Sequence, residues 1–308
     1  MQYSILILVL LFSPSICYCQ TREIIYSNSK DTTANYYITY KPSGKANGLL
    51  LLLVGFGETP QSAAMETGIH TVAIAKGLVT VFASLQRGNI SFYIDSLSQT
   101  SLDKLIPQLQ KKYSTKGKPF YLGGFSLGGS GAVRYAERAY ASKDMLKPNA
   151  VFAIDPPLDF ERVFDSDEFA VRYGKNEVAV NEAGYFSKRV QYEFQSTPQT
   201  DITTFRIFSP YSRSDTTQTN IKPLLHCPIR LICEPDIAWQ LENRNRSLYD
   251  LNALDCSALI NILTLWGNQS AVLTITMNKG YRRSTGKRNP HSWSIADSND
   301  VIDWLLKY

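Results

Sequence analysis

The sequence predicts an α/β fold: a doubly wound, mostly parallel central sheet with helices on both faces and a cap inserted into it. Three observations predict it. Continuous apolar runs such as residues 48–54 (GLLLLLV) have the composition of central strands covered on both faces. These runs alternate with stretches of helical spacing, as repeated strand–helix–strand units require. One long polar and aromatic-rich stretch, 159–223, breaks the alternation, and such a stretch inside a compact domain is usually a lid or inserted subdomain.

Each element follows in order after position 20. Residues 23–26 and 35–41 read as two short strands, the second rich in Tyr, Ile and Thr. The run 48–54 is a central strand ending at Gly55. A helix is expected over 62–76, closed by Gly77, and a strand over 78–85. Residues 96–113 carry Leu97, Leu102, Leu105, Ile106 and Leu109 at helical spacing, with a kink expected at Pro107. The strand 119–123 turns at Gly124 into a helix over 126–141. Buried strands are expected at 150–154, 229–233 and 271–277, with helices over 248–266 and 299–307. The stretch 159–223 reads as a cap over the carboxyl edge of a sheet domain spanning 20–308.

Composition excludes several classes. Of 308 residues, 44% are apolar and only 19% charged, with 18 Gly and 14 Pro, so collagen-like, coiled-coil and disordered chains are ruled out. The net charge of +5 is scattered, without the dense basic stripe that nucleic-acid binding needs. No CxxC pair or His/Cys cluster suggests structural zinc. The apolar run 5–12 (ILILVLLF) falls short of the roughly twenty residues that span a bilayer, so no stable membrane span is expected. It fits the core of a secretory signal over 1–19, with Gln20 as the new terminus, and implies a secreted or periplasmic protein. Beyond it remain Cys227, Cys233 and Cys256. The first two lie six residues apart on one strand, too far to bridge at about 3.3 Å per residue. A bridge from Cys256 to either is open, but all three read as buried free thiols.

The chemistry is carried by few residues. Gly124-Phe125-Ser126-Leu127-Gly128 is a G-x-S-x-G pentapeptide between an apolar strand and a helix, the setting of a nucleophile elbow. A serine needs a base, and the chain has three histidines. His70 falls in an upstream helix and His226 enters at the sheet's amino edge. His291 follows the last strand, on Ser126's side. The imidazole needs an anion. Asp236, beyond the strand end and behind Pro235, is the first choice, Glu234 the second, and Asp155, after the preceding strand, the third. Oxyanion donors are expected from the backbone N–H groups of Leu127 and Phe56, the latter between two glycines.

Together these residues resemble the α/β-hydrolase family across nearly all of the mature chain. LLLVGFGET is similar to its oxyanion loop, GFSLG to its nucleophile elbow, CEPD to its acid turn and NPHSW to its histidine loop. The order Ser126, Asp236, His291 is the family's order. Where the family often has His-Gly, this chain has Val54-Gly55. The resemblance implies a serine hydrolase acting on a small-molecule acyl or peptide substrate, without a metal or organic cofactor. An esterase is the first reading, a peptidase of the same fold the second, and a non-catalytic secreted binding module the rival from another class. The basic run Lys279, Arg282, Arg283, Lys287 and Arg288 reads as a solvated loop, or as an attractant for an anionic substrate if it rims the site. The cap's aromatics read mainly as packing, with an acyl or aromatic pocket as the alternative. Sequons stand at Asn89, Asn245 and Asn268.

Overall fold

The computed structural model describes residues 21–28, 31–86, 88 and 90–308. The expected leader over 1–19 and the sequon asparagine Asn89 lie outside the described residues. The strands are β1 (Thr21–Asn28), β2 (Asp31–Lys41), β3 (Gly48–Leu53), β4 (Leu78–Ala83), β5 (Phe120–Phe125), β6 (Ala150–Ile154), β7 (Ile229–Cys233) and β8 (Ala271–Ile275). They form one sheet in the order β1-β2-β4-β3-β5-β6-β7-β8. The pairs β1–β2 and β2–β4 are antiparallel, and every pair from β4 to β8 is parallel.

Every residue of β3 to β7 is buried. A parallel sheet covered on both faces has no solvent side on which to place polar residues, which is why these strands read as unbroken apolar runs. β8, at the edge, is only partly buried. Arg230 of β7 is the charged exception among these strands; it pairs with Asp300, and its Nε–H donates to Thr274 Oγ1 at 2.9 Å.

The helices are α1 (Pro60–Glu66), α2 (Ile69–Ala75), α3 (Ser96–Lys112), α4 (Leu127–Ala141) and α5 (Phe160–Tyr173). They continue with α6 (Glu177–Phe194), α7 (Ile202–Phe208), α8 (Ile237–Arg244), α9 (Asn252–Leu265) and α10 (Ser298–Leu305). The single helix expected over 62–76 is two. Thr67 is extended at φ −133°, and its hydroxyl accepts the Ile69 N–H at 3.2 Å, ending one helix and opening the next. The helix expected from 248 starts at Asn252, after a 3₁₀ turn over Leu248–Asp250 and an extended Leu251. α3 continues through Pro107. Cys227, Cys233 and Cys256 are buried and unbridged.

The stretch 159–223 contains α5, α6 and α7, with Asp159, Asn176 and Asp201 as side-chain N-caps. α6 buries Ala179, Ala183, Ser187, Val190 and Phe194, a clean helical spacing written partly in small and polar residues. α5 is tied to α9 by a buried ion pair. Arg162 donates to Asp255 through Nε (2.7 Å) and Nη2 (2.6 Å), with both side chains 5% exposed or less. Removing one partner of such a pair strands a buried charge, so Asp255→Ala should cost about 3–5 kcal/mol in urea unfolding.

Candidate active site

β5 ends at Phe125 and α4 begins at Leu127, leaving Ser126 to turn the chain at φ 52°, ψ −127°. An L-residue adopts such a backbone only when its surroundings impose it. The Ser126 N–H donates to the Ile154 carbonyl at 2.9 Å. A Cβ on Gly124 would lie 2.4 Å from the Gly128 backbone, and one on Gly128 would lie 2.3 Å from the Leu53 carbonyl oxygen. Strand, turn, helix and the end of β3 therefore pass closer than any side chain allows.

His291 follows β8 in the chain and sits over this turn. Its Nε2 lies 3.0 Å from Ser126 Oγ, and its Nδ1 lies 2.5 Å from Asp155 Oδ2. The Phe125 ring supports the imidazole at 4.7 Å between centroids, and the His291 N–H donates to Asn289 Oδ1 at 3.1 Å. Asp155 is the first residue past β6 and takes φ 45°. Its N–H donates to the Ile232 carbonyl (2.8 Å), and its carbonyl accepts from Asn252 Nδ2 (2.9 Å). These bonds hold the backbone in the left-handed conformation. The Cys233 thiol beside Asp155 is pushed well up from its ordinary pKa, first by its hydrogen bond with Cys256 and then by burial, so it stays protonated.

Of the three candidate carboxylates, the structure brings Asp155 against the imidazole and not the first or second choice. Asp236 does not reach His291: it caps α8, accepting the Trp239 N–H at 3.3 Å, and pairs with Arg288. Glu234 is buried and also faces away from the imidazole. It accepts the Lys279 N–H (2.9 Å), the Gly280 N–H (3.2 Å) and the Thr276 hydroxyl (3.1 Å), and pairs with Arg288 at 2.5 Å. Arg288 thus occupies both carboxylates of the β7 turn and leaves Asp155 to face the histidine. Two acids from elsewhere reach the segment that carries the basic run around Arg288. Arg282 approaches Glu58 at 3.7 Å, and Glu66 accepts the backbone N–H groups of Arg283 (2.7 Å) and Ser284 (3.2 Å).

The other two histidines lie away from the serine. His70 lies tilted against Tyr40 at 4.4 Å between ring centroids, and burial, with Arg283 adding to it, lowers its pKa to about 4. His226 closes the 3₁₀ turn Lys222–His226 ahead of β7, at the opposite sheet edge.

The loop expected to supply an oxyanion donor follows β3. Gly57 takes φ 79°, and the Glu58 N–H donates to the Gly55 carbonyl at 3.1 Å, closing a tight turn around Phe56. Leu127 is the first residue of α4, so no intrahelical carbonyl takes up its N–H. The Phe56 ring meets Phe92 (6.0 Å), Phe186 (5.7 Å) and Tyr185 (6.1 Å), which brings α6 of the cap directly against this loop. Phe160, Phe164, Phe194 and Phe205 form an interior cluster behind it, whereas Phe169, Tyr173 and Tyr192 are exposed. Among the described residues no group of three or more His, Cys, Asp or Glu is placed to hold a metal ion, and no helix is long and apolar enough to cross a membrane.

A sheet in this order, with a serine on a strained turn after β5 and a histidine after β8, is the α/β-hydrolase fold. A family model described as "alpha/beta hydrolase of unknown function (DUF915)" matches residues 92–224. The S-formylglutathione hydrolase of Agrobacterium tumefaciens superposes over 96% of this chain and 98% of its own, with a TM-score of 0.56 and 14% identity. Carboxyl esterase 2 of Tuber melanosporum covers 94% of this chain and 85% of its own, with a TM-score of 0.57 and 14% identity. At such identity the likeness is one of fold. In sequence, 93 residues are 33% identical to the bifunctional acetylxylan esterase/xylanase of Neocallimastix patriciarum, spanning 29% of this chain and 14% of that protein's length.

Three outcomes follow from this geometry. Gly128→Ala drives a Cβ into backbone and should cost about 3 kcal/mol or more in chemical denaturation. Gly44→Ala, with nothing within 4 Å, should stay within about 0.5 kcal/mol of the parent. The short Nδ1 contact should give His291 a strongly downfield ring-proton resonance that disappears in Asp155→Asn and persists in Asp236→Asn.

Proposed function

We propose that this protein is a serine hydrolase that cleaves ester-type acyl bonds of small molecules, with Ser126 as nucleophile, His291 as base and Asp155 as the acid behind it. The observation that carries the reading is the continuous relay at Ser126. Its hydroxyl meets His291 at 3.0 Å, and the imidazole's far nitrogen meets Asp155 at 2.5 Å. Both the alcohol and the carboxylate stand on left-handed backbone at neighbouring strand ends. Strain of this kind clusters where geometry serves function.

The steps follow from the contacts. The Ser126 oxygen attacks the acyl carbonyl while its proton passes to His291 Nε2. Asp155 accepts the Nδ1–H, fixes the tautomer and stabilises the imidazolium. The N–H groups of Phe56 and Leu127 receive the oxyanion, with the positive end of α4 behind Leu127. His291 then protonates the departing alcohol, and a water repeats the sequence to release the acid and restore the serine. The esterases among the fold neighbours and the acetylxylan esterase/xylanase match favour an ester as substrate. Export is the companion proposal, supported by the apolar run 5–12.

A fluorophosphonate probe should label the native protein and not Ser126→Ala. If neither is labelled, the reading is wrong. With a short-chain aryl ester, Asp155→Asn should lower kcat by on the order of ten-thousand-fold, because the imidazole loses its acceptor. Asp236→Asn should stay within a few-fold of the parent, since it weakens a contact to Arg288 instead. Equal losses in the two variants would refute Asp155 as the acid.

A further inference from the structure

We propose that Glu58 is a positioning residue that locks the oxyanion loop to the histidine loop; the proposal rests on the serine-hydrolase reading above. The Glu58 carboxylate is 11% exposed, and its Oε2 accepts two N–H groups, one from its own loop and one from 235 residues away. One is the backbone N–H of Gly55 at 2.9 Å, and the other is the indole Nε1–H of Trp293 at 3.0 Å. Trp293 is two residues past His291 and fully buried, its ring 5.4 Å from Phe125, the residue before Ser126. Phe125 in turn supports the His291 ring. Glu58 therefore closes a circuit in which the oxyanion loop, the histidine loop and the approach to the nucleophile hold one another.

Its backbone completes the restraint. The peptide joining Gly55 to Phe56 carries the Phe56 N–H on one side and the Gly55 carbonyl on the other, because the unit is planar and trans. That carbonyl accepts the Glu58 N–H at 3.1 Å, so the direction of the Phe56 N–H is set by the same residue whose side chain grips the Gly55 N–H. Any tilt of this peptide would move the donor off the position where the oxyanion forms. A Cβ on Gly55 would stand 2.8 Å from the Phe125 ring and 3.0 Å from Glu58 Oε2, which leaves the loop no second seating.

The chemistry of Glu58 also argues for a positioning role. Its Oε1 is buried and makes no hydrogen bond, with Arg282 3.7 Å away as partial compensation. Burying a carboxylate in this way is costly, and an apolar side chain would often serve stability better. A carboxyl oxygen, however, can accept two donors at once, and a hydrocarbon can accept none.

The test compares Glu58→Ala, Glu58→Gln and Trp293→Phe on the full chain, reading kcat and KM on an aryl ester, the rate of fluorophosphonate inactivation, and Tm. Glu58→Ala should lower kcat and the inactivation rate together by roughly 10- to 100-fold, with KM within about two-fold, because only the transition state uses the misaligned donor. Glu58→Gln keeps an oxygen acceptor for both N–H groups and should recover to within a few-fold of the parent. Trp293→Phe should show the same kcat-selective loss, and adding it to Glu58→Ala should deepen the defect little. Parent-like kcat in a folded Glu58→Ala protein, or Gln as impaired as Ala, would overturn the proposal. If Glu58→Ala does not fold, parent-like kcat and inactivation rate in Trp293→Phe would overturn it instead. A parent protein that the probe fails to label would take down the serine-hydrolase reading, and this proposal with it.

Discussion

Ser126 must hold a backbone conformation that costs an L-residue about 1–3 kcal/mol, and the surrounding architecture exists at the density needed to impose it. The pressure comes from three directions. Gly124 and Gly128 let the strand end, the helix start and the Leu53 carbonyl crowd into contact. The Ser126 N–H is drawn to the Ile154 carbonyl of β6, and Ser130 Oγ, one turn into α4, donates to the Pro157 carbonyl at 2.5 Å. The same contacts that strain the serine thus fasten it to the strand that delivers Asp155. Because β3, β5 and β6 are adjacent in the sheet, the Phe56 loop, the Ser126 alcohol and the Asp155 carboxylate emerge side by side from three neighbouring strand ends.

With Asp155, just past β6, facing His291, the turn after β7 takes up a different task. Glu234 and Asp236 both engage Arg288, and Glu234 also gathers the backbone N–H groups of Lys279 and Gly280. This cluster shapes the descent from β8 towards His291 without touching the imidazole. On the other flank the cap leans on the site through Phe56, whose ring lies against Tyr185 and Phe186, while Arg162 and Asp255 anchor the cap's first helix to the body.

The parts legible in the sequence were those written in apolar continuity or in a scarce residue type. β3 to β7 could be read because a doubly covered strand has no polar alternation to confuse it. Ser126 stood out through its two flanking glycines, and His291 could be singled out because only three histidines exist. The carboxylate that meets His291 was harder. A carboxylate past a strand end is common, and the feature that separates Asp155 from Asp236 is the return of Arg288 onto the β7 turn, a contact between segments 52 residues apart. Asp155 carried a weak signal of its own, standing directly after an apolar strand and before two prolines. The cap helices hid their period because their buried faces use Ala, Ser, Arg162 and Asp167 in place of aliphatic side chains. Glu58 gave no sign beyond its place after Gly57, since its partner Trp293 is 235 residues away.

The chain order of these parts also bears on assembly. The loop after β3, the serine and the carboxylate all come from residues 54–155, up to just past the midpoint of the polypeptide, and the imidazole arrives from near the carboxyl end. Chains emerge from the ribosome amino end first, and their early portions begin to collapse before the last segments are made. The sheet centre can therefore form with an inert alcohol at its edge, and the relay stays open until the final loop docks. A polypeptide cut short before residue 291 would retain the eight strands yet lack the imidazole, so on the proposed mechanism unfinished copies would be silent.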